Sequence, residues 1–288
     1  MNRFLIVTAD DFGLHPSINE AVDAATAAGV LTAASLMVGA PAAADAIRRA
    51  REQPGLRVGL HLVLTDGWAV LPRRRIPALV DADGRFGANS MFADGVRYFA
   101  QPGVRRQLAA EIRAQFAAFQ RTGLVLDHVN THKHFHVHPT LLGMIVRIGR
   151  QFGLRAMRVP QEPLWFSRRG AGGAGVLSSA MIAPLIAMMK RRLRRHEIAY
   201  SDRVFGISCT GAMDENALLA ILARLPPGAS EIYMHPAKFA QTSISPLMSN
   251  YRHTDELDAL LSPRVINAVA ATGAGRGGYR DLMLADWR

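Results

Sequence analysis

Short apolar segments of strand length alternate along this chain with longer segments of helical periodicity. Seven segments predict strands: Arg3 to Thr8, Leu31 to Val38, Arg57 to Val63, Val125 to Asn130, Ala156 to Val159, Arg203 to Ile207 and Glu231 to Met234. Six predict helices: Pro16 to Ala28, Ala42 to Glu52, Val104 to Thr122, Pro139 to Phe152, Asp214 to Leu225 and Thr254 to Leu261. This alternation is typical of βα units around a parallel sheet, and about seven strands favour a closed barrel over an open sheet. We therefore predict an α/β fold with a single (β/α) barrel.

Two segments interrupt this alternation. The first, Asp66 to Gln101, is rich in Pro, Gly and Arg and contains Asp83-Gly84, which predicts a turn or short hairpin. The second, Pro160 to Asp202, contains an apolar stretch, Val176 to Met189, followed by the basic run Lys190 to Arg195. We predict two long loops inserted into the barrel. The chain shows no internal repeat and no linker, so we expect one domain over residues 1–288.

Composition excludes several classes of protein. With 49% hydrophobic residues among 288, the chain is not intrinsically disordered. It has no apolar run of roughly 18 to 20 residues for a membrane span, no secretory signal pattern and no phosphate-binding glycine loop for ATP or NAD. A single cysteine, Cys209, cannot form an intrachain disulfide, so we predict a cytoplasmic protein. The net charge of +11 suggests nucleic acid, an anionic lipid surface or an acidic substrate as a partner.

Two adjacent carboxylates, Asp10 and Asp11, follow the first predicted strand. The carboxyl ends of strands carry the catalytic groups in α/β architectures. Adjacent carboxylates repel each other unless a cation or a proton relieves the charge, which suits one metal-binding and one proton-accepting aspartate. The alternative interpretation is that they cap the helix that begins near Pro16.

Histidines provide the other candidate ligands. Five lie between His128 and His138, and in an extended segment His132, His134, His136 and His138 would project to one side. This density favours transition-metal binding, and a histidine-rich surface loop is the alternative. His61 lies in an apolar strand, where it is either a ligand or a hydrogen-bonded core residue.

A last candidate is His235, which ends a strand and is followed by Pro236. Its position suits a general acid. One aspartate and two histidines from these strand ends would form a facial site for Zn²⁺ or another divalent ion, whose chemistry is hydrolysis. Cys209 lacks a candidate base, and we interpret it as structural.

The order of these motifs resembles the YdjC-like (ChbG/HpnK) carbohydrate deacetylase family over almost the whole chain. The motifs are Ala9 to Leu14, Ser35 to Val38, Gly59 to Thr65, the Asn130-Thr131-His132 cluster, His235-Pro236 and Asn250 to Arg252. The resemblance implies a (β/α) barrel of the glycoside hydrolase/deacetylase type that binds one divalent metal ion, Mg²⁺ or Zn²⁺, and removes acetyl from an N-acetylated sugar.

Carried over by position, Asp11, His61 and His132 match the metal ligands, Asp10 the general base, and His235 the acid or transition-state stabiliser. Candidates for substrate contacts are Asn130, His134, His136 and Arg158. Family members commonly have Asp in place of Asn130 and His in place of Lys133, which puts sugar specificity in doubt.

Within the family, Asn130 to Pro139 and Ser230 to Pro236 look most like the hopanoid-associated HpnK branch, which implies an N-acetylglucosaminyl hopanoid as substrate. The segment Val176 to Arg195 would then contact an anionic membrane from the cytoplasmic side, or else be an ordinary barrel helix. We also expect a homodimer as one form of assembly. The alternatives are a chitooligosaccharide deacetylase, a metal-dependent phosphoesterase and a basic nucleic-acid-binding protein; we expect no nucleic acid, because aromatic residues are not interleaved with the basic ones.

Overall fold

The computed structural model of the protein describes residues 2–27, 30–87, 101–170, 172–239, 244–245 and 248–284, without the side chains of 168–170 and 172–181. The strands are β1 (Arg3–Phe12), β2 (Ala33–Leu36), β3 (Arg57–Leu62), β4 (Gly67–Trp68), β5 (Arg85–Phe86), β6 (Val129–Thr131), β7 (Arg203–Phe205), β8 (Gly228–Met234) and β9 (Gly275–Arg276). The α-helices are α1 (Pro16–Ala27), α2 (Ala43–Glu52), α3 (Pro102–Arg121), α4 (Pro139–Gly149), α5 (Leu164–Gly170), α6 (Gly172–Arg195), α7 (Glu215–Leu222), α8 (His253–Leu261), α9 (Pro263–Ala271) and α10 (Tyr279–Leu284).

The main sheet is parallel and runs in the order β6-β3-β2-β1-β8-β7. At its centre, β1 pairs with β8 from Arg3–Gly228 to Ala9–Met234, and the short strand β9 adds to the start of β1. Because every pair in this order is parallel, the carboxyl ends of its strands meet at one edge, where βα proteins place their functional groups.

One irregular segment, residues 155–161, joins the two ends of this sheet. On one side Met157 forms a parallel bridge with Val129 of β6. On the other side Ala156 bridges Ala199, and the N–H of Val204 in β7 donates to the carbonyl of Gln161 at 2.9 Å. Backbone hydrogen bonding therefore continues around the ring. The predicted α/β barrel of about seven strands is confirmed, with the expected strand Ala156 to Val159 present as bridges.

The helices pack around the barrel through apolar residues at helical spacing. In α4, for example, Leu141, Leu142, Ile145 and Ile148 are all buried. Proline at the first position of α4 leaves no unpaired N–H there, and Gly153 ends the following 3-10 turn with φ of 82°, a backbone conformation that favours glycine. The burial of these side chains stabilises the helix by about 1.5–3 kcal/mol each.

The two inserted segments differ from each other. In the first, an antiparallel bridge between Val80 and Phe86 closes the predicted turn at Asp83-Gly84, where Gly84 has φ of 77°, and β5 also pairs with β4. Residues 88–100 of this segment lie outside the described part. The prediction that the second is a loop was wrong, because α5 and α6 occupy most of it. In α6, Ile186, Met189 and Leu193 are spaced at three to four residues and are buried, so this part packs as a barrel helix.

No helix in the described ranges is both long enough and apolar enough to cross a membrane.

Candidate active site

The site begins with an irregularity at the carboxyl end of β1. The strand continues through Asp10 and Asp11 to Phe12, beyond its predicted end, and its register with β2 shifts between Ala9 and Phe12. Asp11 has a left-handed backbone with φ of 60°, which is uncommon for residues other than glycine. The shift is that of a β-bulge, which re-aims side chains. It sends the two neighbouring carboxylates to different partners, and neither caps α1.

Asp11, His61 and His132, which we call the histidine cluster, form one face of the site. Asp11 Oδ1 lies 3.2 Å from His61 Nε2 and 3.1 Å from His132 Nδ1, and the two ring nitrogens are 3.4 Å apart. One donor atom from each residue fits within 4.8 Å of the others, the spacing of a metal site. The structure therefore brings together the three predicted ligands.

Two observations show that this cluster fits a divalent cation. Asp11 Oδ2 is buried and has no hydrogen-bond partner among the described residues. His61 Nδ1 bonds Asn130 Oδ1 at 2.7 Å, which leaves the lone pair of His61 Nε2 facing the cluster. One carboxylate oxygen and two imidazole nitrogens suit Zn²⁺ and similar ions.

Charge coupling within the histidine cluster is strong. Burial raises the pKa of the Asp11 carboxyl, but the charge and hydrogen bond of His132 outweigh it and hold that pKa well below its usual range. Burial lowers the pKa of His132, yet Asp11 and then Asp66 raise it to about 9. Without a bound cation, His132 is thus protonated at neutral pH, and its imidazolium supplies the positive charge beside the Asp11 carboxylate.

Asp10, Arg158 and Glu231, which we call the arginine cluster, lie beneath the histidine cluster. The guanidinium of Arg158 is fully buried and bonds both oxygens of Asp10, with Nη2 3.0 Å from Oδ1. The same guanidinium bonds Glu231 through Nε at 3.0 Å and Nη2 at 2.8 Å. It is a cation shared between two buried carboxylates.

Further contacts complete the arginine cluster. Asp10 Oδ1 accepts from Asn130 Nδ2 at 3.0 Å, and Glu231 accepts from the hydroxyls of Thr8 at 2.7 Å and Tyr279 at 2.5 Å. The guanidinium carbon of Arg158 lies 4.5 Å from the centre of the Tyr233 ring. Burial raises the pKa of Asp10, but Arg158 holds it far below its usual range, so Asp10 is ionised.

The segment after β6 does not project its histidines to one side, so that prediction was wrong. Residues His132–Val137 form 3-10 turns, with Lys133 and His134 in left-handed conformation at φ of 56°. The hydroxyl of Thr131 accepts the N–H of His136 at 3.0 Å and stabilises this turn. Each histidine therefore points in its own direction.

His235 follows β8 and lies across the site from His61 and His132. Its Nε2 is 4.0 Å from Asp11 Oδ2, and its Nδ1 is buried without a described hydrogen-bond partner. Its backbone N–H donates to Glu256, and its carbonyl accepts from His253 Nδ1 at 2.6 Å. Burial lowers the pKa of the His235 ring to about 4, so it is a neutral imidazole at pH 7.

The predicted substrate-contact residues take several positions. Asn130 and Arg158 lie under the site with their polar atoms bonded to the clusters. His136 is fully buried between the Thr131 hydroxyl, at 2.7 Å, and the Arg158 carbonyl, at 3.0 Å. His134 is half-buried and bonds the Tyr233 hydroxyl at 3.2 Å. Contacts of these four with substrate stay a prediction.

Sequence reasoning missed several residues of the site. Glu231 stands in an otherwise apolar strand, where a carboxylate needs a buried partner, and this signal was available. Asp66 pairs with Lys133 at 2.9 Å and lies 3.8 Å from His132 Nε2. Glu256 accepts the backbone N–H groups of both His235 and Met213, and it was not predicted as a site residue.

Comparison with known proteins identifies the family. The profile of the YdjC-like protein family matches residues 4–271. The chain belongs to the YdjC-like family. Its relatives include the carbohydrate deacetylase of Geobacillus stearothermophilus, 27% identical over 98% of this chain and 99% of that protein. The chitooligosaccharide deacetylase of Serratia marcescens is 31% identical over 98% of this chain and all of the relative, 100%.

A solved structure agrees with the family assignment and the barrel. An Enterococcus faecalis V583 protein, described as a candidate cellobiose-phosphate cleavage protein, superimposes on this YdjC-like chain with a TM-score of 0.77. It is 25% identical and covers 98% of this chain and 99% of its own. The predicted resemblance to the YdjC-like family is confirmed.

Proposed function

We propose that this protein is a metal-dependent hydrolase that removes the acetyl group from an N-acetylated sugar. The observation that carries the proposal is the histidine cluster, with its unpaired Asp11 oxygen, directly beside the ionised Asp10. The deacetylase names of full-length relatives in the family support the same reaction.

Asp11, His61 and His132 would hold the ion. When bound, a divalent ion supplies a Lewis acid for the amide carbonyl and lowers the pKa of water. Asp10 is the base that accepts the proton of the attacking water. The arginine cluster contains two carboxylates and one guanidinium, so it carries one net negative charge, and a proton taken up by Asp10 makes it neutral. This charge balance supports Asp10 as base although Arg158 bonds it.

His235 is the proposed hydrogen-bond donor to the reacting amide. Its ring faces Asp11 from β8, and a neutral imidazole donates one N–H. It donates that hydrogen bond to the oxyanion of the tetrahedral state or to the departing amine nitrogen.

Acetate release from N-acetylated amino sugars tests the reaction. The protein is stripped with chelator, reloaded with Zn²⁺, Mg²⁺ or Mn²⁺, and assayed, with bound metal counted by mass spectrometry. Acetate release that requires about one bound ion per chain is expected. Phosphate release from matched phosphorylated sugars without acetate release would instead show a phosphoesterase.

For the substrate we propose an N-acetylglucosaminyl hopanoid. The sequence likeness of Asn130 to Pro139 and Ser230 to Pro236 to the HpnK branch supports it. The test is a panel of acetylated sugars, free and hopanoid-linked, followed by mass spectrometry. Preference for free chitobiose would leave the reaction in place and identify a chitooligosaccharide deacetylase.

We also propose peripheral contact with an anionic membrane at the cytoplasmic face through Val176 to Arg195, and no binding of nucleic acid. Arg191, Arg194 and Arg195 are exposed at the end of α6, which supports it. Cosedimentation with anionic vesicles that is unchanged after neutralising Lys190 to Arg195 would exclude this segment. Formation of a homodimer stays a prediction, which light scattering would test.

A further inference from the structure

A basic groove of about 760 Å³ lies on the outside of the barrel between α3, α4 and α6. Six of the residues that line it are Arg105, Arg106, Arg147, Arg150, Arg192 and His196. No carboxylate is among its lining residues. None of its five arginines forms an ion pair within the described ranges, whereas Arg48, Arg49 and Arg57 elsewhere on the surface do.

The guanidinium of Arg192 lies against Gly143 of α4 in this groove. A Cβ on residue 143 would lie only 3.0 Å from Arg192 Nη2 and 3.1 Å from Nη1. Glycine inside a helix costs about 1 kcal/mol relative to alanine, and here its absent side chain leaves room for the guanidinium. Arg192 Nη1 also lies 3.5 Å from the carbonyl oxygen of Pro139.

We propose that this groove binds the phosphates of anionic phospholipid head groups. Guanidinium groups bind phosphate oxygens in pairs, and five unpaired ones repel each other until anions arrive. The groove is open to solvent, and its volume of about 760 Å³ has room for more than one phosphate, which matches a surface that presents many. Leu185 and Met188 lie on the same stripe of α6 as Arg192, so apolar groups adjoin the charge. No Phe, Tyr or Trp lines the groove to stack nucleic acid bases.

The test is cosedimentation with phosphatidylcholine vesicles, with and without phosphatidylglycerol. The double variant Arg147→Gln/Arg150→Gln changes the groove on α4, outside Val176 to Arg195. Arg73→Gln/Arg74→Gln, in an exposed 3-10 turn, is the charge-matched control. We expect the groove variant to lose about 30-fold in affinity for phosphatidylglycerol vesicles and the control less than about threefold.

Equal loss in both variants would reduce the effect to net charge and overturn the proposal. Two other results would also overturn it: binding of single-stranded DNA without binding of vesicles, and displacement from vesicles by equimolar glycerol phosphate. The assay contains no sugar substrate, so its result is independent of the deacetylase proposal.

A second inference rests on a buried chain of polar groups under His61. Asp127 Oδ2 bonds His128 Nδ1 at 2.8 Å, and His128 Nε2 bonds Ser35 Oγ at 3.0 Å. Asn130 Nδ2 bonds Ser35 Oγ at 3.1 Å, and Asn130 Oδ1 bonds His61 Nδ1 at 2.7 Å. All five residues are at most 2% exposed.

The donor and acceptor of each hydrogen bond in this series are assigned by starting from the Asp127 carboxylate. The Asp127 carboxylate accepts, so His128 Nδ1 carries a proton, and His128 Nε2 faces the Ser35 hydroxyl. Ser35 then accepts from the Asn130 amide, which also donates to Asp10. Asn130 Oδ1 accepts from His61 Nδ1, so that nitrogen carries a proton and Nε2 faces Asp11.

We propose that Asp127, His128 and Ser35 are positioning residues that fix the tautomer of His61. This inference rests on the proposed metal site. Ser35, His128 and Asp127 have the order of a nucleophilic triad, but Ser35 is fully buried and accepts from Asn130, so it does not attack a substrate. Gly59 supports the placement, since a Cβ there would lie 2.5 Å from the His128 ring.

At the end of this series of hydrogen bonds that is remote from His61, Asp127 contacts α10. Asp127 accepts the N–H groups of Tyr279 at 3.0 Å and Arg280 at 2.8 Å. A second aspartate, Asp281, accepts the N–H of Gly278 at 2.9 Å and pairs with Arg57, without a described contact to His128. Asp281→Asn is therefore a matched control for Asp127→Asn at the same helix.

The experiment compares Asp127→Asn, Ser35→Ala and Asp281→Asn by metal titration and by ¹⁵N spectra of His61 in the metal-free protein. Asp127→Asn and Ser35→Ala should weaken metal binding about 10- to 100-fold and mix the His61 tautomers. Asp281→Asn should change neither. Ser35→Ala leaves α10 untouched, so it decides the matter if Asp127→Asn does not fold.

A single His61 tautomer retained in Ser35→Ala, with unchanged metal affinity, would overturn the inference. Because the spectra are recorded without metal or sugar, failure here is distinguishable from failure of the proposed reaction.

Discussion

Asp10 and Asp11 are neighbours in sequence and opposites in environment. Both oxygens of Asp10 are bonded by Arg158, and Asn130 adds a third bond. Asp11 shares one oxygen between two histidines, and its other oxygen has no hydrogen-bond partner in the described part of the chain. The arginine cluster contains a permanent cation, whereas the histidine cluster has a positive charge only when His132 is protonated or a metal ion is bound. One bulge thus separates the proposed base from the proposed metal ligand within two residues.

Removal of the ligand has the largest expected effect. Asp11→Ala should lose bound metal and reduce deacetylation by about 10⁴-fold or more, because the histidine cluster loses its only negative charge. Metal counted by mass spectrometry after dialysis, together with acetate release, measures both. Retention of stoichiometric metal would show that Asp11 is not a ligand.

Removal of the base separates the two functions. Asp10→Asn should reduce turnover by about 10³-fold while about one ion per chain stays bound, because the ligand set is intact. The same metal count and a Michaelis–Menten analysis are the measurements. Wild-type turnover in this variant would contradict the role of Asp10 as base.

Removal of the internal cation tests stability. Arg158→Met leaves Asp10 and Glu231 buried together without compensation, so the free energy of unfolding should fall by about 3–5 kcal/mol. Urea denaturation measures this. Arg264→Met, which breaks a mostly exposed pair with Glu215, is the control and should cost less than about 1 kcal/mol. An equally small loss of unfolding free energy in both variants would contradict the interpretation that Arg158 compensates the buried charges of Asp10 and Glu231.

The smallest expected effect is the pH dependence of metal binding. His132 has a raised pKa of about 9 in the metal-free protein and must lose its proton to bind an ion. Affinity should therefore rise about tenfold per pH unit from pH 7 towards pH 9 and level off above it. Calorimetry in buffers of different ionisation enthalpy should show about one proton released at pH 7. Binding that is independent of pH would contradict protonation of His132.

The sequence predicts the barrel and the members of the histidine cluster, because both depend on strand ends. Asp11, His61 and His132 each stand at or just after a strand of one parallel sheet, and parallel strands bring those ends together. Periodicity predicts where the strands end, and the resemblance to the YdjC-like family selects Asp11, His61 and His132 among the aspartates and histidines at those ends.

The arginine cluster depends on contacts that periodicity does not contain. Arg158 and Glu231 are separated by 73 residues and meet across the barrel interior. The turn after β6 depends on two left-handed residues, Lys133 and His134, which are neither glycine nor asparagine. A sequence pattern gives no reason to place φ above zero there, so the histidines were predicted on the wrong face.

The irregular segment that joins β6 to β7 has a consequence for breathing motions. It is held to its neighbours by isolated bridges and irregular backbone hydrogen bonds rather than by a regular strand pairing, and Arg158 stands within it. The salt bridges of Arg158 to Asp10 in β1 and Glu231 in β8 therefore help to hold this segment in the barrel. Hydrogen exchange of the Met157 and Ala199 amides would report local opening of this segment. The same opening would separate the Asp10 carboxylate from the Arg158 guanidinium.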